Sequence, residues 1–231
     1  MTAFASKPPA VQPCRVAVLA SGRGSNFSAL LQAQQGASLP IALVAVLSDK
    51  PSAKVLSLAA EAGIAVWAES AKHYPSREAF DQALFAELGR IQPDLIVCAG
   101  YMRIIGAAVL PPWIGRMINI HPSLLPKYPG LHTHRRALQA GDREHGASVH
   151  FVTAELDGGP VIGQARVPVL SDDDEAGLAA RVRQREHPLL LASVDAYARG
   201  QLRLSDQAVE FAGTRLSQPL QLDPAGRWQS A

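Results

Sequence analysis

The chain has 231 residues, with 22 Lys plus Arg against 20 Asp plus Glu and 48% apolar residues. This near-neutral, apolar-rich balance excludes a disordered tail or linker. No Lys/Arg run exceeds two residues, which argues against a nucleic-acid partner. The ligands expected are small molecules, a small anion among them.

Residues 1–14 contain several prolines and read as a flexible extension without the apolar stretch of a signal peptide. Nothing later reaches the ~18 apolar residues of a membrane span, so no membrane partner and a cytoplasmic location are expected. Strand-like apolar runs then alternate with helical patterns: 16–20 with 27–34, 41–47 with 53–62, 65–67 with 76–88, and 95–99 with a short helical stretch over 104–110, followed by a strand over 117–120. This alternation predicts an α/β fold with a mostly parallel central sheet and helices on both faces.

From residue 147 the texture changes. Segments 148–152 and 161–167 flank the turn Asp157-Gly158-Gly159-Pro160 and predict a β-hairpin, adding antiparallel strands near the C-terminus. The acids Asp172 to Glu175 precede Leu178, Val182, Leu189 and Leu190, the pattern of an amphipathic helix that Pro188 is expected to bend or break. Leu202, Leu204, Val209 and Phe211 suggest a terminal hairpin, and 217–231 reads as a loosely held tail, leaving a single domain over 15–216. Cys14 and Cys98 imply no disulfide framework.

Three places could carry chemistry. Ser21-Gly22-Arg23-Gly24-Ser25-Asn26 lies between a strand and a helix, where successive N–H groups and the helix N-terminus suit a phosphate. Phe27 stands where a dinucleotide fingerprint needs a small residue, and no Walker Gly-Lys-Ser/Thr occurs; a ligand-free turn is the alternative. Asn119 and His121, two apart on a strand, share one face while Ile118 and Ile120 pack the other way. That sets an amide donor beside a titratable ring at the carboxyl end of a strand, where open parallel sheets bind ligands; a satisfied core histidine is the alternative. Ser148 and His150 are expected to line the same pocket. Asp157 reads as a turn former unless it meets His121, whose charged form a carboxylate would favour.

His132 and His134 lack companion ligands at a familiar spacing, so no metal is expected. His73, His145 and His187 are assigned to loops or helix faces. No Gly-x-Ser-x-Gly elbow occurs and no covalent nucleophile is indicated.

The segments 21–26, Ala99-Gly100-Tyr101-Met102-Arg103-Ile104, 119–130 and 155–160 together resemble the phosphoribosylglycinamide formyltransferase family, folate-dependent enzymes of purine synthesis, over about residues 15–200. The resemblance implies a Rossmann-like fold and direct formyl transfer from 10-formyltetrahydrofolate, as co-substrate, to the glycine amine of phosphoribosylglycinamide, without metal or covalent enzyme intermediate. It implies that Asn119 donates to the formyl oxygen, that His121 stabilises the developing charge and acts as the acid, and that Asp157 raises the pKa of His121. It places the ribonucleotide on Gly24, Ser25 and Asn26 and on Arg183, Gln184, Arg185 and Glu186. It places the folate on Arg77, Met102, Arg103, Ile104 and Ile105 and on the loop Thr153, Ala154, Glu155, Leu156 and Asp157. His132, His134 and Arg135 are expected in an ordered loop.

Formyltetrahydrofolate deformylase shares the Asn, His and Asp but normally carries a further N-terminal domain, and methionyl-tRNA formyltransferase adds a C-terminal RNA-binding domain. The segments flanking the resemblance are too short for either. A non-catalytic nucleotide-binding protein using the Gly24 loop alone is the reading from another class, and monomer and homodimer both stay open.

Overall fold

A computed structural model describes residues 12–229. Most of the predicted N-terminal extension, and the last two residues, therefore lie outside the described residues. The strands β1 (Cys14–Leu19), β2 (Ile41–Ser48), β3 (Ala65–Ala68), β4 (Leu95–Cys98) and β5 (Met117–His121) pair in parallel in the order β3-β2-β1-β4-β5. Helices α1 (Ser25–Gln35), α2 (Lys54–Glu61) and α3 (Arg77–Ile91) connect the first four strands, and two short 3-10 turns, Ala107–Val109 and Pro111–Trp113, lie between β4 and β5. Ser76 caps α3 by accepting the Ala79 N–H at 3.1 Å, which satisfies one of the donors a helix start leaves unpaired.

Side-chain alternation along the strands divides the interior in two. Val16 and Val18 of β1 and Ile118 and Ile120 of β5 join one cluster, while Ala17, Leu19, Ile96, Cys98 and Met117 join the other, together with Phe80 and Leu84 of α3. Both faces are buried, which is why these strands read as apolar on both sides.

After α4 (Thr133–Gln139), β6 (Glu144–Phe151) runs antiparallel to β5 and β7 (Val161–Pro168) antiparallel to β6, the hairpin expected from the sequence. Helix α5 (Glu175–Ala198) starts on Asp174, whose carboxylate accepts the Gly177 N–H at 2.7 Å. It packs Leu178, Val182, Leu189, Leu190 and Val194 into the core. Strands β8 (Leu202–Ser205), β9 (Ala208–Phe211) and β10 (Thr214–Arg215) form a separate small antiparallel sheet.

Four expectations are corrected. Pro188 neither ends nor divides α5, because apolar burial on both sides of it holds the helix together. The predicted loose tail instead supplies β11 (Leu220–Leu222), parallel to β7, and β12 (Trp228–Gln229), so among the described residues the large sheet has nine strands. Buried Leu220 and Leu222 hold it, and Trp228 lies across Gly163, where an added Cβ would come within 2.6 Å of the indole. His134 and Arg135 stand in α4 rather than a loop. His145 is a buried strand residue of β6, its Nε2 3.1 Å from His134 Nδ1.

Candidate active site

The parallel strands deliver their carboxyl ends to one edge of the sheet. There the loop after β1 meets the segment after β4: the Ser21 N–H donates to the Gly100 carbonyl at 3.0 Å. On β5, Asn119 and His121 continue the row begun by Met117, beyond the apolar strip that α3 covers. Antiparallel pairing sets His150 opposite Asn119 and Ser148 opposite His121 on the same face.

The His150 Nδ1–H donates to the Phe151 carbonyl at 2.9 Å, which leaves Nε2 free to accept from the Asn119 amide at 3.1 Å. This sets the Asn119 amide nitrogen as the donor, and Asn119 also lines the cleft described below. His121 Nε2 donates to the Tyr128 carbonyl at 2.9 Å, and its Nδ1 lies 3.4 Å from Asp157 Oδ2. The loop 152–160 between β6 and β7 folds back across this face, and Asp157 takes a left-handed backbone conformation, φ 50°, that Asp tolerates better than most residues. The same carboxylate accepts the Gly130 N–H at 2.8 Å, and Oδ1 lies 3.6 Å from His150 Nε2.

Burial pushes the His121 imidazole below its ordinary value, against the pull of the Tyr128 carbonyl and the Asp157 carboxylate. Asp157 thus acts on His121 in the expected direction, and desolvation outweighs it. Asp157 is held below the usual carboxylate range; burial opposes this, and the His150 ring, the Gly130 N–H and His121 outweigh it. A ring flanked by two acceptors is fully hydrogen-bonded only when protonated, while burial favours the neutral form.

A cleft opens over Asn119, His150 and Asp157, while His121, buried behind Asp157, is not part of its lining. Arg103, Ile104 and Ile105 line one side, Thr153 to Asp157 the other, and Asn119 and His150 lie at its base. Cys98, Tyr101 and Val152 complete the lining and were not singled out from sequence, although Tyr101 directly precedes the segment that was. Arg77 and Met102 do not line the cleft: Arg77 pairs with Glu78 on the α3 surface, and the Met102 side chain is 60% exposed. Burial drives the Cys98 thiol up to about 12, which leaves it unreactive.

The other proposed subsite assembles from α1 and α5. Gly24 precedes α1 with φ 83°, and its added Cβ would lie 2.8 Å from Val55, so only glycine fits. Asn26 Nδ2 lies 3.5 Å from Glu186 Oε2, and burial raises the Glu186 carboxyl above its ordinary value. Ser25 opens α1, and Arg183 and Gln184 are exposed on α5.

Two assignments are corrected. Arg185 donates to the carbonyls of Leu222, Asp223 and Pro224 and so holds the C-terminal strands. Ser148, fully buried, donates to the Ser123 carbonyl and accepts from Leu125 N–H and Gln164, so it anchors the loop after β5 and does not line the cleft. Among the described residues no group of three or more His, Cys, Asp or Glu side chains is arranged to hold a metal ion. No helix among them is long and apolar enough to cross a membrane.

The formyl transferase family profile matches residues 14–194. Phosphoribosylglycinamide formyltransferase of Escherichia coli is 48% identical over 201 residues, 87% of this chain and 95% of that one. The solved phosphoribosylglycinamide formyltransferase of Coxiella burnetii superposes with a TM-score of 0.85 at 42% identity, covering 89% of this chain and 96% of that one. A formyltetrahydrofolate deformylase from Pseudomonas syringae superposes with a TM-score of 0.80 at 26% identity, covering 87% of this chain but 66% of that one. The chain belongs to the formyl transferase family, among the phosphoribosylglycinamide formyltransferases.

Proposed function

We propose that this chain transfers the formyl group of 10-formyltetrahydrofolate to the glycine amine of phosphoribosylglycinamide. The observation that carries the reading is a cleft lined by Asn119, His150 and Asp157, with His121 paired to Asp157 behind it. The amine attacks the formyl carbon while the free N–H of Asn119 donates to the formyl oxygen as negative charge grows there. His121 keeps Nδ1 on Asp157, and its Nε2 exchanges the Tyr128 carbonyl for the reacting centre. The amine sheds a proton as it attacks; Nε2 takes it, the developing oxyanion favouring the charged ring that burial disfavours, and the proton then passes to the folate nitrogen as the bond between that nitrogen and the formyl carbon breaks. The pterin lies between Arg103–Ile105 and the 153–157 loop. The ribose phosphate meets the N–H groups of Gly24, Ser25 and Asn26, with Glu186 on the ribose and Arg183 adding positive charge.

Folate turnover followed by absorbance, with and without phosphoribosylglycinamide, tests this. Turnover that requires the ribonucleotide and yields a formylated ribonucleotide by mass is expected. Turnover with release of formate in its absence makes the chain a hydrolase, and silence in both supports a nucleotide-binding protein.

A further inference from the structure

The wall of the cleft formed by Arg103, Ile104 and Ile105 is a short stretch without helix or strand, so something else must hold its shape. Both of its ends are pinned from behind by carboxylates. At one end the Met102 N–H donates to Ser21 Oγ at 2.9 Å, and Ser21 Oγ donates to Asp49 Oδ1 at 2.5 Å. At the other end the Gly106 N–H donates to Asp81 Oδ2 at 2.8 Å.

Asp81 is the less expected of the two. It projects from α3 with 1% exposure, between Phe80 and Leu84 of the apolar cluster on that face. Burial raises its carboxyl above the ordinary value, opposed by the Gly106 N–H and by the charges of Arg103 and Arg77. The Arg103 guanidinium lies over the neighbouring Phe80 ring, 5.0 Å from its centroid. If packing alone were served here, an apolar side chain would cost less than a desolvated acid. The carboxylate instead joins α3 to the end of the cleft wall, and Gly106 brings its backbone close: an added Cβ would lie 3.1 Å from Asp81 Oδ2.

We propose that Asp81 is a positioning residue of the cleft, holding Gly106 and through it the Arg103–Ile105 wall in the conformation that accepts the folate ring, without touching the ligand. The proposal rests on the reading of this cleft as the folate site. It is tested in the full chain by steady-state kinetics of Asp81→Ala and of Asp81→Leu, each with both substrates varied. The second variant keeps a side chain of similar size that suits the apolar cluster around it while removing the acceptor, so the test survives if the first fails to fold.

Each variant is expected to raise KM for 10-formyltetrahydrofolate about tenfold, with KM for the ribonucleotide changing less than about twofold. An unchanged folate KM, or equal rises in both KM values, would overturn the role of Asp81. Wild-type protein without saturable dependence on 10-formyltetrahydrofolate would overturn instead the assignment of the cleft on which that role depends.

Discussion

At the scale of single residues, the site is a set of polar groups each committed on one side and open on the other. Asn119 gives one N–H to His150 and keeps one; His121 has Asp157 behind Nδ1 and a carbonyl at Nε2 that a substrate can displace. Replacing Asp157 by Asn removes the charge that favours the imidazolium, while the ribonucleotide contacts assigned to Gly24, Ser25 and Asn26 stay in place. The expected result is a fall in kcat of about 100-fold or more with ribonucleotide KM nearly unchanged, read from initial rates; equal losses in binding and turnover would contradict it. The pairing of Asn119 with His121 is legible in sequence because a spacing of two on a strand fixes a shared face. Their meeting with Asp157 is not, since it depends on how the loop 152–160 folds back and on one left-handed residue. Ser148 and Arg185 show the converse limit: sequence names a polar side chain, but whether its hydrogen bonds are already used depends on Leu125, Gln164 and the 222–224 carbonyls, all distant in the chain.

At the scale of elements, the βα alternation was readable because periodicity and both-sided burial agree along β1 to β5. The end of the chain was not, because β11 and β12 are too short to show a period and form only against the edge offered by β7. Helix α5 shows tertiary packing overriding propensity: an interior proline removes a backbone donor, yet the helix runs from Glu175 to Ala198. Pro188→Ala is therefore expected to raise stability by about 1–2 kcal/mol, the restored hydrogen bond exceeding the loss of unfolded-state restraint. Urea denaturation measures it, and a lower midpoint would show that Pro188 contributes packing the helix depends on.

Across the whole molecule, buried imidazoles tie stability to pH. Burial, reinforced by the adjoining His134 ring, brings His145 down to about 4, against an ordinary value near ~6.5 in the unfolded chain. The unfolded chain then binds a proton that the folded chain refuses, so stability present above about pH 6.5 is lost as pH falls toward about 4, by up to ~1.4 kcal/mol per pH unit. His121, His134 and His187 are lowered too and act with the same sign. Denaturation curves at about pH 7.5 and 5.5 are expected to diverge less for His145→Gln than for the wild type, and equal divergence would remove His145 from this account.

The claim that unites these scales is that the amine attacks the formyl carbon directly, with water excluded from the bond being made. Mass analysis of the ribonucleotide product formed in heavy-oxygen water tests it most directly. Direct transfer predicts a product that keeps the original formyl oxygen and contains no solvent label; labelled oxygen in the product would show that the formyl group passes through free formate, contradicting the roles given to Asn119, His121 and Asp157.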